Sequence, residues 1–172
     1  MGRYFLEKGS KKKAGVETMN FSLSRSIGLI FRSESESDFI LVKQFRKHLQ
    51  GEYGIQKVEA LGWIDDKELP DYAVSQRGFR FLTRTNVNWH YQPGGEDYQK
   101  FVNTNFDILI DLSFDEVLPL RFVLKNSKAN MKVGRFDESS YKHYNMTLNL
   151  PENTLMDEYL KQMDKYLNVI KP

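Results

Sequence analysis

The chain has 172 residues, 40% of them apolar and 28% charged, with a formal net charge of +2. That is enough for one domain with a sizeable core. The absence of cysteine excludes disulfides, thiolate zinc sites and cysteine nucleophiles. No run approaches the roughly 18 apolar residues that a membrane span needs, and the first residues lack a signal peptide's apolar segment, so the expectation is a soluble, cytoplasmic protein.

The charge is unevenly placed. In the first 13 residues Arg3, Lys8, Lys11, Lys12 and Lys13 stand against Glu7, a net +4, which leaves −2 for the remainder. Residues 1–24 therefore read as a basic arm and linker, with Tyr4, Phe5 and Leu6 able to anchor one helical turn and 20–24 as linker. Such an arm suits RNA, a ribosome or an anionic membrane surface. Its plain alternative is a solvated chain end.

Residues 25–172 read as alternating strands and helices. Ser26–Arg32 is the first strand, through Ile27, Leu29, Ile30 and Phe31. Ser33 with Glu36, or Ser35 with Asp38, then has the spacing of a helix start. Phe39, Val42, Phe45 and Leu49 follow at helical intervals, and Gly51 or Gly54 can end the helix. A strand–turn–helix opening of this kind binds phosphate in dinucleotide folds. Here it carries no glycine, and Glu34 and Glu36 would repel an anion.

The second strand, 57–64, runs into Asp65 and Asp66. A parallel strand's carboxyl end is the usual ligand edge of an open α/β sheet, and two carboxylates suit Mg²⁺, although acidic residues after strands are commonly just turn residues. Phe79–Leu82 is a short third strand. The aromatic loop 83–95 after it, with Trp89, His90 and Tyr91, reads either as a binding surface or as a loop tacked to the core by Trp89 and Tyr91, the latter being preferred. A short helix over 96–103 leads to the stretch around which the chain is organised, 106–113, where Ile108-Leu109-Ile110 suits a strand buried on both faces. A helix starting at Asp115 and Glu116, a strand over 131–134, a strand near 146–150 and an amphipathic helix over 154–170 complete the pattern. That last helix suits packing on its own sheet and, alternatively, a homodimer seam. The whole predicts a single-domain, Rossmann-like three-layer α/β sandwich with a mostly parallel sheet of about five to six strands.

Motifs for chemistry are sparse. The chain has neither a P-loop nor a G-x-S-x-G nucleophile elbow. Pairing Ser113 with His90 or His143 as a dyad rests on geometry that sequence does not supply. His48, His90 and His143 lack ligand spacing, so no metal and no cofactor are expected. The candidate crevice combines Asp65, Asp66, Asp111, Ser113, Asp115 and Arg135 at strand ends. Its structural alternative has Ser113 or Asp115 capping the next helix and Asp111 accepting backbone N–H bonds.

The ordered set IGLIF, VEALGWIDDKELPDY, TRTNVNWHYQP, FVNTNFDILIDLS and SKANMKVGRF, with the basic start and helical end, resembles a family of small uncharacterised Bacteroidota proteins known as a domain of unknown function. That resemblance covers nearly the whole chain and implies no activity or catalytic residue. A fainter architectural likeness is to the N-terminal half of heptosyltransferase-type glycosyltransferases, in the FDILIDLS strand, its helix and the KVG strand. The chain departs from it in lacking their Gly-Asp opening loop and second domain. The expected function is a non-catalytic binding or adaptor protein acting through the basic arm. The alternative is a small transferase or hydrolase with its crevice at the strand ends.

Overall fold

The computed structural model describes residues 19–170 and the backbone of Leu6–Lys8. Among the described residues seven strands form one sheet: β1 (Leu6–Lys8), β2 (Ser26–Arg32), β3 (Lys57–Trp63), β4 (Phe79–Leu82), β5 (Ile108–Asp111), β6 (Met131–Arg135) and β7 (Met146–Leu148). Their order is β1-β7-β6-β5-β2-β3-β4, and all pairs are parallel except β1 with β7. The six parallel strands thus run outward in both directions from the first of them, β2. This is the doubly wound order of dinucleotide-binding folds, with its reversal between β2 and β5. The expected fold class holds, and the sheet gains one antiparallel edge strand. That strand replaces the helical turn expected around Leu6: Leu6 pairs with Leu148 and Lys8 with Met146.

Among the described residues four α-helices cover the sheet: α1 (Glu36–Glu52), α2 (Glu96–Val102), α3 (Leu118–Asn126) and α4 (Met156–Val169). Alternation along each strand sorts side chains between two cores. Ile27, Leu29, Phe31, Ile108 and Ile110 meet Phe39, Val42 and Leu49 of α1 and Leu160, Met163 and Leu167 of α4. Ile30, Leu61, Trp63 and Leu109 meet Phe101 of α2 and Leu120, Val123 and Leu124 of α3. The apolar stripe of α4 is therefore packed on the chain's own sheet. Asp111, one register step from Ile110, lies on the α2/α3 side.

Local chemistry sets the helix limits. Ser35 and Asp38 form the capping box of α1, the second of the two starts that the spacing allowed. Gly54, at φ +64°, follows the last turn, where a side chain would be strained. Helix α3 starts at Leu118, three residues past Asp115, with Val117 as its cap and no side-chain cap bond. Neither Ser113 nor Asp115 caps it, because Ser113 is held by Asp111 and Pro119 fixes the first turn further on.

Residues 20–24 are a packed turn rather than a linker. Phe21 is fully buried with its ring 5.0 Å from that of Tyr53, and its N–H donates to the Leu167 carbonyl at 3.2 Å. Asn20 Nδ2 donates to the Ile170 carbonyl at 2.9 Å. The turn satisfies carbonyls that the end of α4 would otherwise leave open. One aromatic in a polar stretch carries no periodicity, and for that reason the sequence pattern did not mark it.

Two stations at one sheet edge: the candidate functional site

The carboxyl ends of the parallel strands carry two separate features. The first surrounds Asp111, which closes β5. An aspartate at the end of an apolar strand is buried by the layers on both sides, so its oxygens need partners. Ser113 supplies two, its N–H at 2.8 Å and its hydroxyl, both to Oδ1. Tyr144 donates its hydroxyl to Oδ2 at 2.6 Å. Tyr159 of α4 donates to the Asp111 backbone carbonyl at 2.7 Å, from a fully buried ring. Burial pushes the Asp111 carboxyl above the ordinary carboxylate range, against the pull of the Ser113 and Tyr144 bonds. Burial beside the Asp111 charge raises both tyrosine hydroxyls, so they stay protonated and donate.

Gly134 of β6 makes this arrangement possible. A Cβ there would lie well inside contact distance of the Tyr144 ring, so the strand carries no side chain where that ring lies. Around the network stand Phe114, Arg121, Arg135 and Asp137. Arg121 pairs with Glu116 at 3.3 Å. Arg135 donates to the Pro151 carbonyl at 3.0 Å and lies 5.3 Å over the Phe114 ring. The Ser139 N–H and hydroxyl hold the Asp137 carboxyl below its ordinary range. The open space among these groups is about 30 Å³, on the order of one water molecule.

The second feature is an open groove of about 670 Å³ over the ends of β2 and β3. Asp65 and Asp66 line it with Arg32, Glu34, Glu68 and Tyr72. Arg84 Nε meets Asp65 Oδ1 at 2.7 Å and holds that carboxyl below its ordinary range. The Arg84 N–H donates to the Asp66 carbonyl at 2.8 Å. Asp66 Oδ1 accepts from the Lys67 N–H at 2.6 Å, closing the local turn.

The expected six-residue crevice is thus divided. Asp111, Ser113, Asp115 and Arg135 line the small pocket, whereas Asp65 and Asp66 line the groove. The strand order explains the split, because β2 stands between β3 and β5. Asp111 accepts a backbone N–H as its structural reading expected, and the Ser113 hydroxyl goes to Asp111 rather than to a histidine. Tyr144, Tyr159, Arg121 and Asp137 were missed. Gly134 inside a strand was the one signal available, since such a glycine marks the close approach of a neighbour. Among the described residues, no group of three or more histidines or acidic residues is placed to hold a metal ion. Of the basic arm, Arg3, Lys11, Lys12 and Lys13 lie outside the described residues, and Lys8 is described as backbone only.

No helix among the described residues is long and apolar enough to cross a membrane. Among curated proteins and among solved structures, none matches the chain. A family model does match, over residues 1–170, and its description is a family of unknown function, DUF6913. The match spans the strand β1, both stations and all four helices, and the chain belongs to that family.

Proposed function

We propose that this chain is a non-catalytic, cytoplasmic binding or adaptor protein whose basic N-terminal arm contacts an anionic partner, RNA or the ribosome before a membrane surface. The observation that carries the reading is the state of Asp111. It is the best-placed carboxylate for chemistry, yet its two oxygens and its carbonyl are engaged by Ser113, Tyr144 and Tyr159, with space beside them for about one water. A group engaged in this way holds strands and helices together. The net +4 of the first 13 residues against −2 for the rest gives the arm its electrostatic role.

The test keeps the strand β1 intact, because deleting the arm would also strip the sheet edge. Arg3, Lys11, Lys12 and Lys13 are changed together to glutamine in the full chain. Binding to a labelled single-stranded RNA, to purified ribosomes and to anionic vesicles is then measured at low and high salt. Binding that falls with salt and is lost in the variant supports the arm. A variant that binds as well as the parent chain overturns it.

The groove at Asp65 and Asp66 favours a second reading, a small transferase or hydrolase, since its size suits a small ligand. A melting-temperature rise with a divalent cation or an uncharged sugar, abolished by Asp66→Asn, would support that reading.

A further inference from the structure

The groove and the loop beside it carry an inference independent of the arm. Of the groove's acidic residues, Glu34 pairs with Arg32 at 3.0 Å and Asp65 with Arg84 at 2.7 Å. Asp66 and Glu68, both exposed, have no ion-pair partner among the described residues. The groove therefore carries uncompensated negative charge. The start of α1 adds no anion site, because Asp38 Oδ2 accepts the N–H groups of Glu34 and Ser35 at 3.1 and 3.2 Å. An anionic ligand is repelled here, and a cation is drawn in.

The second observation is the loop between β4 and α2. It is closely built: Val87 and Pro93 form a bridge, and Asn88 Oδ1 accepts the N–H groups of His90 and Gln92, both at 3.0 Å. Tyr91 is held at φ +61°, a conformation that costs a bulky residue about 1–3 kcal/mol. At the tip Trp89 is 84% exposed, in contact with the His90 ring, and Tyr91 is also exposed. The tip was expected to be tacked to the core by Trp89 and Tyr91. Instead, Val87 packs inward and Pro93 is buried. The loop thus accepts backbone strain while displaying a tryptophan in water. Nothing in the packing of the described residues explains that combination, whereas tryptophan is enriched at interface hot spots. Arg84, at the head of this loop, bonds to the Asp65 side chain and to the Asp66 carbonyl, so the loop that carries the aromatic tip starts from the groove wall.

We infer that the groove and the Trp89–Tyr91 tip together dock a lysine- or arginine-bearing segment of a partner protein. Aromatic faces attract ammonium and guanidinium groups, and Asp66 and Glu68 offer them carboxylates. Leu69 and Pro70 give an apolar neighbour somewhere to rest. The volume suits a few residues of peptide and not a folded face. The inference goes beyond the arm reading: the occupant has the opposite charge, and β1 lies at the other edge of the sheet from β4.

The test uses the full chain and a fluorescent peptide of alternating lysine and leucine, with a glutamate-for-lysine copy as control. Anisotropy should show saturable binding of the lysine peptide and none of the control. Trp89→Ala, and Asp66→Asn combined with Glu68→Gln, should each weaken binding roughly tenfold or more. Both variants should melt with the parent chain, since the side chains are exposed. The arm variant with glutamines at 3, 11, 12 and 13 should bind the peptide unchanged, which separates failure of this inference from failure of the arm reading. Equal binding of the glutamate peptide, or parental affinity in both groove variants, overturns the inference. Self-association in sedimentation that Asp66→Asn abolishes also overturns it, in favour of a second copy of the chain as occupant.

Discussion

Asp111 and Asp66 stand at the ends of strands in the same sheet, yet one is sealed and the other open. Asp111 lies under α3, where the layers close over β5, and each oxygen has a donor. Asp66 lies past β3 in an exposed turn, and its carboxylate faces solvent. The difference comes from the connection that leaves each strand. The segment after β5, residues 112–117, leads into a helix on the same side, and the β6–β7 connection brings in Tyr144. The segment after β3 is a long connection, 64–78, whose 3-10 turn packs Tyr72 and Ala73 inward while residues 65–69 stay exposed, so no helix covers Asp66. The same residue type is a structural tie at one station and a surface charge at the other. Substitution should separate the two cleanly.

The largest effect is expected at Asp111→Ala, which leaves the hydroxyls of Tyr144 and Ser113 without their acceptor in a buried setting. We expect a loss of about 2–4 kcal/mol, read by urea unfolding. Next comes Tyr159→Phe, which removes one buried bond to the Asp111 carbonyl while keeping the ring. That should cost about 1–2 kcal/mol. Gly134→Ala tests the same tie from the side, because the added methyl displaces the Tyr144 ring. It should cost about 1–3 kcal/mol. If Gly134→Ala cost nothing, Tyr144 would not be fixed by its seat on β6.

The sequence made one half of this comparison readable and hid the other. Every strand of the parallel sheet was legible as a short apolar stretch bounded by turn residues, although β5 and β7 are shorter than the stretches that announce them. Asp111 was legible as a polar residue closing an apolar run. Its partners were not: Tyr144 and Tyr159 lie 33 and 48 residues away, and no local rule links a strand end to a helix on the far layer. The separation of Asp65 and Asp66 from Asp111 depended on strand order, which alternation alone leaves open. Trp89 was misplaced through the general habit of putting aromatics inside. Its exposure comes from a loop closed by Asn88 and by the Val87–Pro93 bridge, both invisible to hydrophobic patterning.

A smaller effect should appear in the pH dependence of stability. The Asp111 carboxyl sits above its ordinary range because burial disfavours the charged form. In the window between its unfolded and folded values the native state therefore holds more protons than the unfolded state. Its contribution is full below the unfolded value and is lost as pH rises through the folded one. Asp137 has the opposite sign: held low by Ser139, it contributes above the unfolded value and loses that contribution as pH falls through the folded one. Unfolding measured from acid to neutral pH should show Asp111→Asn gaining on the parent chain as pH rises. Asp137→Asn should lose ground over the same range. Parallel curves for the parent chain and Asp111→Asn would mean that the carboxyl is not desolvated as the fold implies.

The smallest effects belong to the open station, and their smallness is the point. Asp66→Asn removes a charge but keeps the oxygen that accepts the Lys67 N–H, and Trp89→Ala removes a ring that lies mostly in water. Each should change unfolding free energy by no more than about 0.5 kcal/mol, as surface substitutions do. A Trp89→Ala variant that lost about 2 kcal/mol instead would show that the ring supports its own loop. Trp89 would then belong with Tyr144 and Tyr159 among the residues that hold the molecule together. A near-zero cost would mean that the indole does not support its loop, the outcome that a docking role for Trp89 requires.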